Sequence, residues 1–397
     1  MNRRLAAAFA LALMGAGPAF AGSLKFDRFV LDESIPDGYQ VEVADVNGDG
    51  KPDVVGLGGG TSAWYENPSW TKHIITSGTQ TPGIISTATA DLDGDGRAEV
   101  AIAYEFSMND PTRGKLGLAT QKEGPDGGWS FRKLADLGSI HRLRSGNFGD
   151  GPGPTLVVAP IFGRSAKGPA FDQEGATLRL FRPRPGQGEV EWAGRTLEPA
   201  FPVMHAIDVI DYNGDGRSDI LTASQGGVSR VQVDRPAKDK FIVTKLAPGA
   251  PQSAPRTGSS EVHLGRMKGG RRFLATIEPW HGTEVVICPE TEPGSGRFGE
   301  RQVLDASLVD GHALWVADVD RDGDDEIFAG FRGKGTSVFA YDWDGKAWTK
   351  TVVDAAIAAQ DLRGGDLDGD GTPDVVAIGG KTHNLVWYKP LKAEPTP

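Results

Sequence analysis

The sequence predicts an all-β chain folded as a seven-bladed β-propeller, and three observations carry that prediction. The chain has 397 residues with 55 glycines and 26 prolines, and no long stretch shows helical periodicity, so short strands joined by turns are favoured. An acidic phrase recurs in register: "DVNGDGKPDVV" at Asp45, "DLDGDGRAEVA" at Asp91, "DYNGDGRSDIL" at Asp211, "DVDRDGDDEIF" at Asp318 and "DLDGDGTPDVV" at Asp366. Around each phrase the same order of apolar runs returns, with worn copies at "NFGDGPGPTLVVA" and "LGRMKGGRRFLAT", which makes seven units. A unit of four short antiparallel strands cannot bury its faces alone, so the units must close into a ring.

Taken in order, residues 1–21 read as a secretory signal. Arg3 and Arg4 precede the apolar run "LAAAFALALM", and Ala19–Ala21 form a small-x-small cleavage site. That run is too short to span a bilayer and no later segment is long enough, so the expectation is an exported protein, periplasmic or extracellular, with no integral membrane segment after cleavage. Residues 22–392 are assigned to the propeller and 393–397 to a short tail. "LKFDRFVLDES" reads as an outermost strand without a blade of its own, expected to complete the last blade after "VWYKP". Within each unit an apolar strand enters the acidic loop, a β-branched strand leaves it, and two more strands follow, as in "SAWYENP" and "WTKHIIT". Cys288 is the single cysteine, so no intrachain disulfide holds the fold. The net charge of −11 argues against a nucleic-acid partner, which needs a concentrated basic face.

The acidic loops follow the ligand logic of a hard cation. Oxygens at positions 1, 3, 5 and 9 with glycine at 6 suit Ca²⁺. Five loops are intact: Asp45/Asn47/Asp49/Asp53, Asp91/Asp93/Asp95/Glu99, Asp211/Asn213/Asp215/Asp219, Asp318/Asp320/Asp322/Glu326 and Asp366/Asp368/Asp370/Asp374. The same residues also serve turn chemistry without a bound ion. Either way these loops join the first two strands of a blade and are structural. They resemble the FG-GAP/VCBS repeats of secreted and cell-surface propellers.

Counting six residues back from each loop gives one slot per blade: Tyr39, Ile85, His141, His205, Ser259, His312 and Gln360. Three of the chain's seven histidines occupy this slot. First strands line the channel, so these imidazoles are expected to converge at the mouth opposite the acidic loops. Neutral imidazoles with an open position suit Zn²⁺ or another divalent transition metal. The turns on that face add His281 as a further candidate ligand, Glu105 and Glu278 as candidate proton carriers, and Arg164, Arg332 and Lys334 as candidate holders of a polar, oxygen-rich small molecule. His73 is expected on an outer strand and His263 in the worn fifth unit.

"VVAPIFG", "MHAIDVIDYNGDG", "IEPWHGTE" and "DGHALWVADVDRDG" resemble the propeller portion of the aldos-2-ulose dehydratase family, carbon–oxygen lyases that remove water from keto-sugars. The resemblance implies a divalent metal with His205, His281 and His312 as ligands or acid/base groups, and His141 as a further catalytic candidate. It implies a small carbohydrate substrate and structural cations. The reading is a metal-dependent lyase acting on a keto-sugar or keto-glycoside. A non-catalytic propeller binding glycan or protein at the same mouth, and a metal-independent enzyme using the histidines directly, are the alternatives.

Overall fold

Each second strand of the repeat is an unbroken β-branched or apolar run, as expected of a strand covered on both faces. The computed structural model describes residues 24–122, 128–149, 153–184, 191–234, 240–253 and 256–391; the segment expected to be a secretory signal and the expected tail lie outside them. No helix occurs among the described residues, and none is long and apolar enough to cross a membrane.

The chain opens with β1 (Phe26–Asp32). Blade 1 is β2 (Gly38–Ala44), β3 (Asp53–Gly58), β4 (Thr61–Glu66) and β5 (Thr71–Thr76). Blade 2 is β6 (Ser86–Ala90), β7 (Glu99–Tyr104), β8 (Lys115–Gln121) and β9 (Trp129–Asp136). Blade 3 is β10 (Ile140–Gly146), β11 (Thr155–Pro160), β12 (Ala176–Arg184) and β13 (Glu191–Phe201). Blade 4 is β14 (Met204–Ile210), β15 (Asp219–Ser224), β16 (Gly227–Asp234) and β17 (Lys240–Ala247). A hairpin, β18 (Ala250–Ser253) and β19 (Arg256–Gly258), then intervenes; the repeat pattern gave no sign of it. Blade 5 is β20 (Glu261–Arg266), β21 (Arg272–Glu278), β22 (Glu284–Pro289) and β23 (Gln302–Asp305). Blade 6 is β24 (Gly311–Ala317), β25 (Glu326–Phe331), β26 (Ser337–Trp343) and β27 (Trp348–Asp354). Blade 7 is β28 (Ala359–Gly365), β29 (Asp374–Gly379) and β30 (Leu385–Pro390), and β1 supplies its outer strand.

The order β1-β30-β29-β28 is the ring closure expected from "LKFDRFVLDES": β1 pairs antiparallel with β30, from Phe26 opposite Pro390 to Asp32 opposite Leu385. The core lies between blades. Every residue of β3, β7, β11, β15, β25 and β29 is buried, and Phe328, Phe273, Tyr341 and Tyr388 are the bulkiest fillers in blades 5 to 7. Hydrophobic burial between neighbouring blades is therefore what binds the ring.

A polar latch repeats at three of these interfaces. An aspartate ending one blade's outer strand accepts the hydroxyl of a buried tyrosine on the next blade's third strand: Tyr65 to Asp32 at 2.6 Å, Tyr341 to Asp305 at 2.6 Å and Tyr388 to Asp354 at 2.7 Å. A cation caps each carboxylate, namely Lys72, Lys350 and Arg28. The latches hold together blades 5, 6, 7 and 1, which carry much of the site described next.

Candidate functional site

The slot residues share a backbone device. In β2, β10, β14, β24 and β28 the register with the second strand slips by one residue, and the extra residue is Tyr39, His141, His205, His312 and Gln360 in turn. A β-bulge re-aims one side chain at the end of a strand. Here it re-aims the slot residue of five blades. β6 and β20 run without the slip. Blade 5 therefore offers Ser260 rather than Ser259 to the neighbouring histidine, which corrects the residue count in that worn unit.

Each slot histidine is tied to the next blade by the same bond. His141 Nδ1–H donates to the carbonyl of His205 at 2.9 Å, His205 Nδ1–H to Ser260 at 2.9 Å, and His312 Nδ1–H to Gln360 at 2.6 Å. The proton is thereby fixed on Nδ1, leaving Nε2 as a lone pair. His141 Nε2 accepts the Tyr39 hydroxyl at 2.9 Å. His312 Nε2 is buried with no partner among the described residues. His205 Nε2 faces His281 Nε2 at 2.9 Å.

His281 comes from the turn after β21. Its backbone is left-handed, φ 50°, and a Cβ on the next residue, Gly282, would stand 2.1 Å from the Glu278 carbonyl, so the tight turn requires glycine there. Arg256 of the hairpin donates to the carbonyls of Trp280 and His281, bracing the turn from outside. Arg332 Nη2 donates to His281 Nδ1 at 2.8 Å and its Nε to Asp310 at 2.8 Å. Arginine has only donors, so in this arrangement the His281 proton sits on Nε2 and points at His205. Asp310 Oδ1, 3.5 Å from Nδ1, is the acceptor for the other tautomer.

His205, His281 and His312 form one group, with ligand nitrogens all within 4.8 Å of one another. His141 stands beside it, its ring 4.7 Å from that of His205, and belongs to the Tyr39 pair instead. Burial holds all four imidazoles well below their usual pKa, helped by Arg142 at His141 and His205, by His205 at His281 and by Arg332 at His312. They are neutral, which is the state a metal ligand needs. Three neutral imidazoles, with His281 in the tautomer that gives Nδ1–H to Asp310, and one buried, unsatisfied Nε2 fit a divalent transition metal.

The other predicted residues fall differently. Arg332 joins the cluster, but as a support for His281 and Asp310. Glu278 does not face the mouth. It is fully buried, and the carboxylate expected as a proton carrier is occupied in accepting from Ser259, Thr276 and Arg301. Glu105 is paired with Lys115 at 2.5 Å on blade 2 and makes no contact with the histidines. Arg164 lines a 370 Å³ groove between the loops after β7 and β11, with Asn109, Lys167 and Phe171, and Lys334 is exposed on the blade 6 turn. An aromatic wall of Phe162, Phe171, Trp280 and Phe106 connects that groove to His205 and His141.

The acidic loops, on the opposite face, do not behave alike. Carboxylates at positions 1, 3 and 9 draw together in blades 2, 6 and 7, as Asp91/Asp93/Glu99, Asp318/Asp320/Glu326 and Asp366/Asp368/Asp374. Blades 1 and 4 have no such carboxylate group among the described residues, and there position 3 is an amide, Asn47 or Asn213. Asn47 Oδ1 accepts the Asp49 N–H at 3.0 Å and its Nδ2 donates to Glu66 at 3.4 Å. Asn213 turns its Nδ2 to Asp215 Oδ2 at 3.1 Å. Asn47 and Asn213, expected as calcium ligands, thus serve the turn as well. An amide carries donors as well as an acceptor, so besides the backbone N–H that aspartates accept at this position it can bond a neighbouring carboxylate.

Sequence reasoning missed Tyr39 and Gln360 as site residues although both hold the slot. It also missed Arg142, Glu261 and Asp310. Arg142 follows His141 directly and reaches Tyr39 and, at 3.3 Å, Glu261. His73 stacks on Trp64 and bonds Glu66, and His263 pairs with Asp208, so neither belongs to the site. Cys288 is buried, its thiol pushed up to about 11, and inert.

Comparison with known proteins agrees with the fold. Residues 45–102 and 318–377 match the FG-GAP-like repeat, and residues 118–290 match the aldos-2-ulose dehydratase β-propeller domain. The chain is a seven-bladed β-propeller with FG-GAP-like repeats, similar over residues 118–290 to the propeller domain of aldos-2-ulose dehydratase. The aldos-2-ulose dehydratase of Phanerodontia chrysosporium is 23% identical over 375 residues, covering 82% of this chain but only 40% of that enzyme. Among solved structures, an Agrocybe aegerita lectin recognising non-reducing terminal N-acetylglucosamine aligns with TM-score 0.49 and 14% identity over 81% of both chains. A putative 6-phosphogluconolactonase of Bacteroides fragilis aligns with TM-score 0.48 and 14% identity, over 90% of this chain and 96% of its own. The dehydratase-matched segment contains His141, His205 and His281; His312 lies just ahead of the second FG-GAP-like match.

Proposed function

We propose that this propeller is a metal-dependent carbon–oxygen lyase acting on a keto-sugar or keto-glycoside at the histidine mouth of its channel. The observation that carries the reading is the convergence of His205, His281 and His312, two of them with Nδ1 committed to the next blade so that Nε2 is free. These three would hold Zn²⁺ or a related ion, which when bound supplies Lewis-acid polarisation of a carbonyl or hydroxyl oxygen. The likeness to a keto-sugar dehydratase supports the substrate class.

The chain's own residues divide the remaining work. Elimination breaks the C–H bond next to the carbonyl and the C–O bond one carbon further on, forms the C=C bond, and delivers a proton to the departing oxygen. Tyr39 is partly exposed at the mouth, and its hydroxyl is hydrogen-bonded to the neutral His141, so the pair can hold or move a proton at Tyr39 Oη. Arg332 holds Asp310, the acceptor for His281 Nδ1–H when Nε2 turns to the metal, rather than gripping substrate. Arg164 and Lys167, on the groove beside the aromatic wall, bind sugar oxygens, and Trp280 excludes water from one side of the cluster. Ca²⁺ in the acidic loops would be structural, and export follows from the reading of residues 1–21.

Elemental analysis of purified protein tests the proposal. The wild type is expected to retain about one equivalent of transition metal that the double variant His205→Ala/His312→Ala lacks. Only the wild type should convert a keto-sugar such as anhydrofructose to an enone absorbing in the ultraviolet. Equal metal content in the two proteins, or turnover surviving in the variant, overturns it and favours a binding propeller.

A further inference from the structure

All five intact acidic loops carry the calcium motif, yet buried positive charge sets the blade 4 loop apart. Position 2 of the loop is apolar in four blades, Val46, Leu92, Val319 and Leu367; in blade 4 it is Tyr212. Two guanidinium groups lie against that tyrosine's ring, Arg230 at 4.2 Å and Arg272 at 4.5 Å from its centre. Arg230 Nη2 reaches on to Asp219 Oδ2 at 2.7 Å, a carboxylate at position 9 of the motif. Arg272 Nη1 donates to the Tyr212 carbonyl within the loop at 2.8 Å, while its other nitrogens are held by Glu290. Both arginines are largely buried, and they come from β16 and from the worn fifth unit.

The blade 6 loop is the contrast. Its position 9 residue, Glu326, is fully buried; Oε2 accepts Val319 N at 2.8 Å, and Oε1 has no partner among the described residues. Asp318 and Asp320 converge on Glu326, and Asp318 Oδ1 is likewise buried and unpartnered. Arg321, within the loop, turns away to the Asp370 carbonyl. A fourth carboxylate, Asp342 of β26, faces the same cluster closely enough to feel the charges of Asp320 and Asp322.

We infer that the blade 4 loop is neutralised by the protein itself, through Arg230 and Arg272 around Tyr212, and takes no calcium, whereas the blade 6 loop is an open calcium site. The inference rests on the proposal that open acidic loops hold calcium. Arg230 brings one positive charge to Asp219, Arg272, itself paired with Glu290, fixes the loop carbonyl, and a carboxylate already bonded to a buried guanidinium loses that bond if it turns to a metal. The worn fifth unit thus retains a role: having lost its own acidic loop, it contributes Arg272 to its neighbour's.

Equilibrium dialysis against Ca²⁺ followed by elemental analysis reads the difference as bound ions per chain. Glu326→Gln is expected to lose one equivalent, and Asp219→Asn, the matching amide change in blade 4, none. Asp215→Ala, at an exposed position of the blade 4 loop, serves as a second probe in case Asp219→Asn fails to fold, and is also expected to lose none. Loss of one equivalent in either blade 4 variant overturns the inference. No loss in Glu326→Gln overturns the contrast from the other side by removing calcium from the open loop, and so marks failure of the underlying calcium reading.

Discussion

Replacing Tyr341 by phenylalanine removes one hydroxyl from the latch between blades 5 and 6. The residue is 2% exposed, and its hydroxyl gives a 2.6 Å bond to Asp305 Oδ2, which also receives Lys350 at 2.5 Å; Asp305 Oδ1 accepts the Ser307 backbone N–H. A hydrogen bond to a charged group contributes about 1.5–3 kcal/mol. In a chain this long, with an unfolding entropy that scales with its length, that corresponds to a Tm lower by about 2–4 °C. Burial alone would raise the Asp305 pKa, but Lys350, Tyr341 and Ser307 outweigh it and hold the carboxyl at about 2, below its ordinary 3.8. A carboxyl depressed on folding stabilises fully above its unfolded value and loses that contribution as pH falls through the folded one. The Tm gap between wild type and Tyr341→Phe should therefore be constant from pH 7 to about 5 and narrow as pH falls from about 4 toward 2. Differential scanning calorimetry across that range is the assay. An unchanged Tm at pH 7, or a gap that persists undiminished at pH 3, refutes the reasoning.

Other outcomes follow from the site. Arg332→Met removes the support of His281 and Asp310, and chelator competition should show metal affinity lower by about 10–100-fold, with the fold intact by circular dichroism. Glu278→Gln weakens a buried pair with Arg301; chemical denaturation should show a loss of about 1–3 kcal/mol, while bound metal stays unchanged. Tyr39→Phe leaves His141 Nε2 without its donor, and kcat on a keto-sugar should fall by at least about 10²-fold with KM and metal content nearly constant. Because the imidazoles are held below their ordinary 6.5, the native state binds fewer protons than the unfolded chain, and stability of the metal-free protein should decline as pH drops through about 6.5. A flat Tm between pH 7.5 and 5.5 contradicts that.

Much of this protein can be read along the chain. The acidic phrases count the blades because a turn glycine and its flanking carboxylates are local requirements, satisfied within one loop and independent of what surrounds it. The role of "LKFDRFVLDES" was legible for a similar reason: a strand with no partners of its own must find an open edge, and β30 offers one. The histidine slot could be counted because strand lengths repeat.

Tertiary structure decided the rest. A β-bulge is a matter of pairing between two strands, so no residue count shows that His141, His205 and His312 are the extra residues that turn into the mouth. Nor could spacing separate His141, drawn off by a tyrosine two blades away, from His281, which joins the cluster from a turn outside the slot. Asn47 and Asn213 hold a ligand position by count, and only the folded loops show their amides also bonding Asp49, Glu66 and Asp215. Glu278 and Arg332 look alike in sequence, each a charged residue at the end of a second strand. Burial gives one to Arg301 and the other to His281. Local chemistry dictates which residues can bind or bend, but which of them meet depends on blades distant in sequence, and that is fixed only when the ring closes.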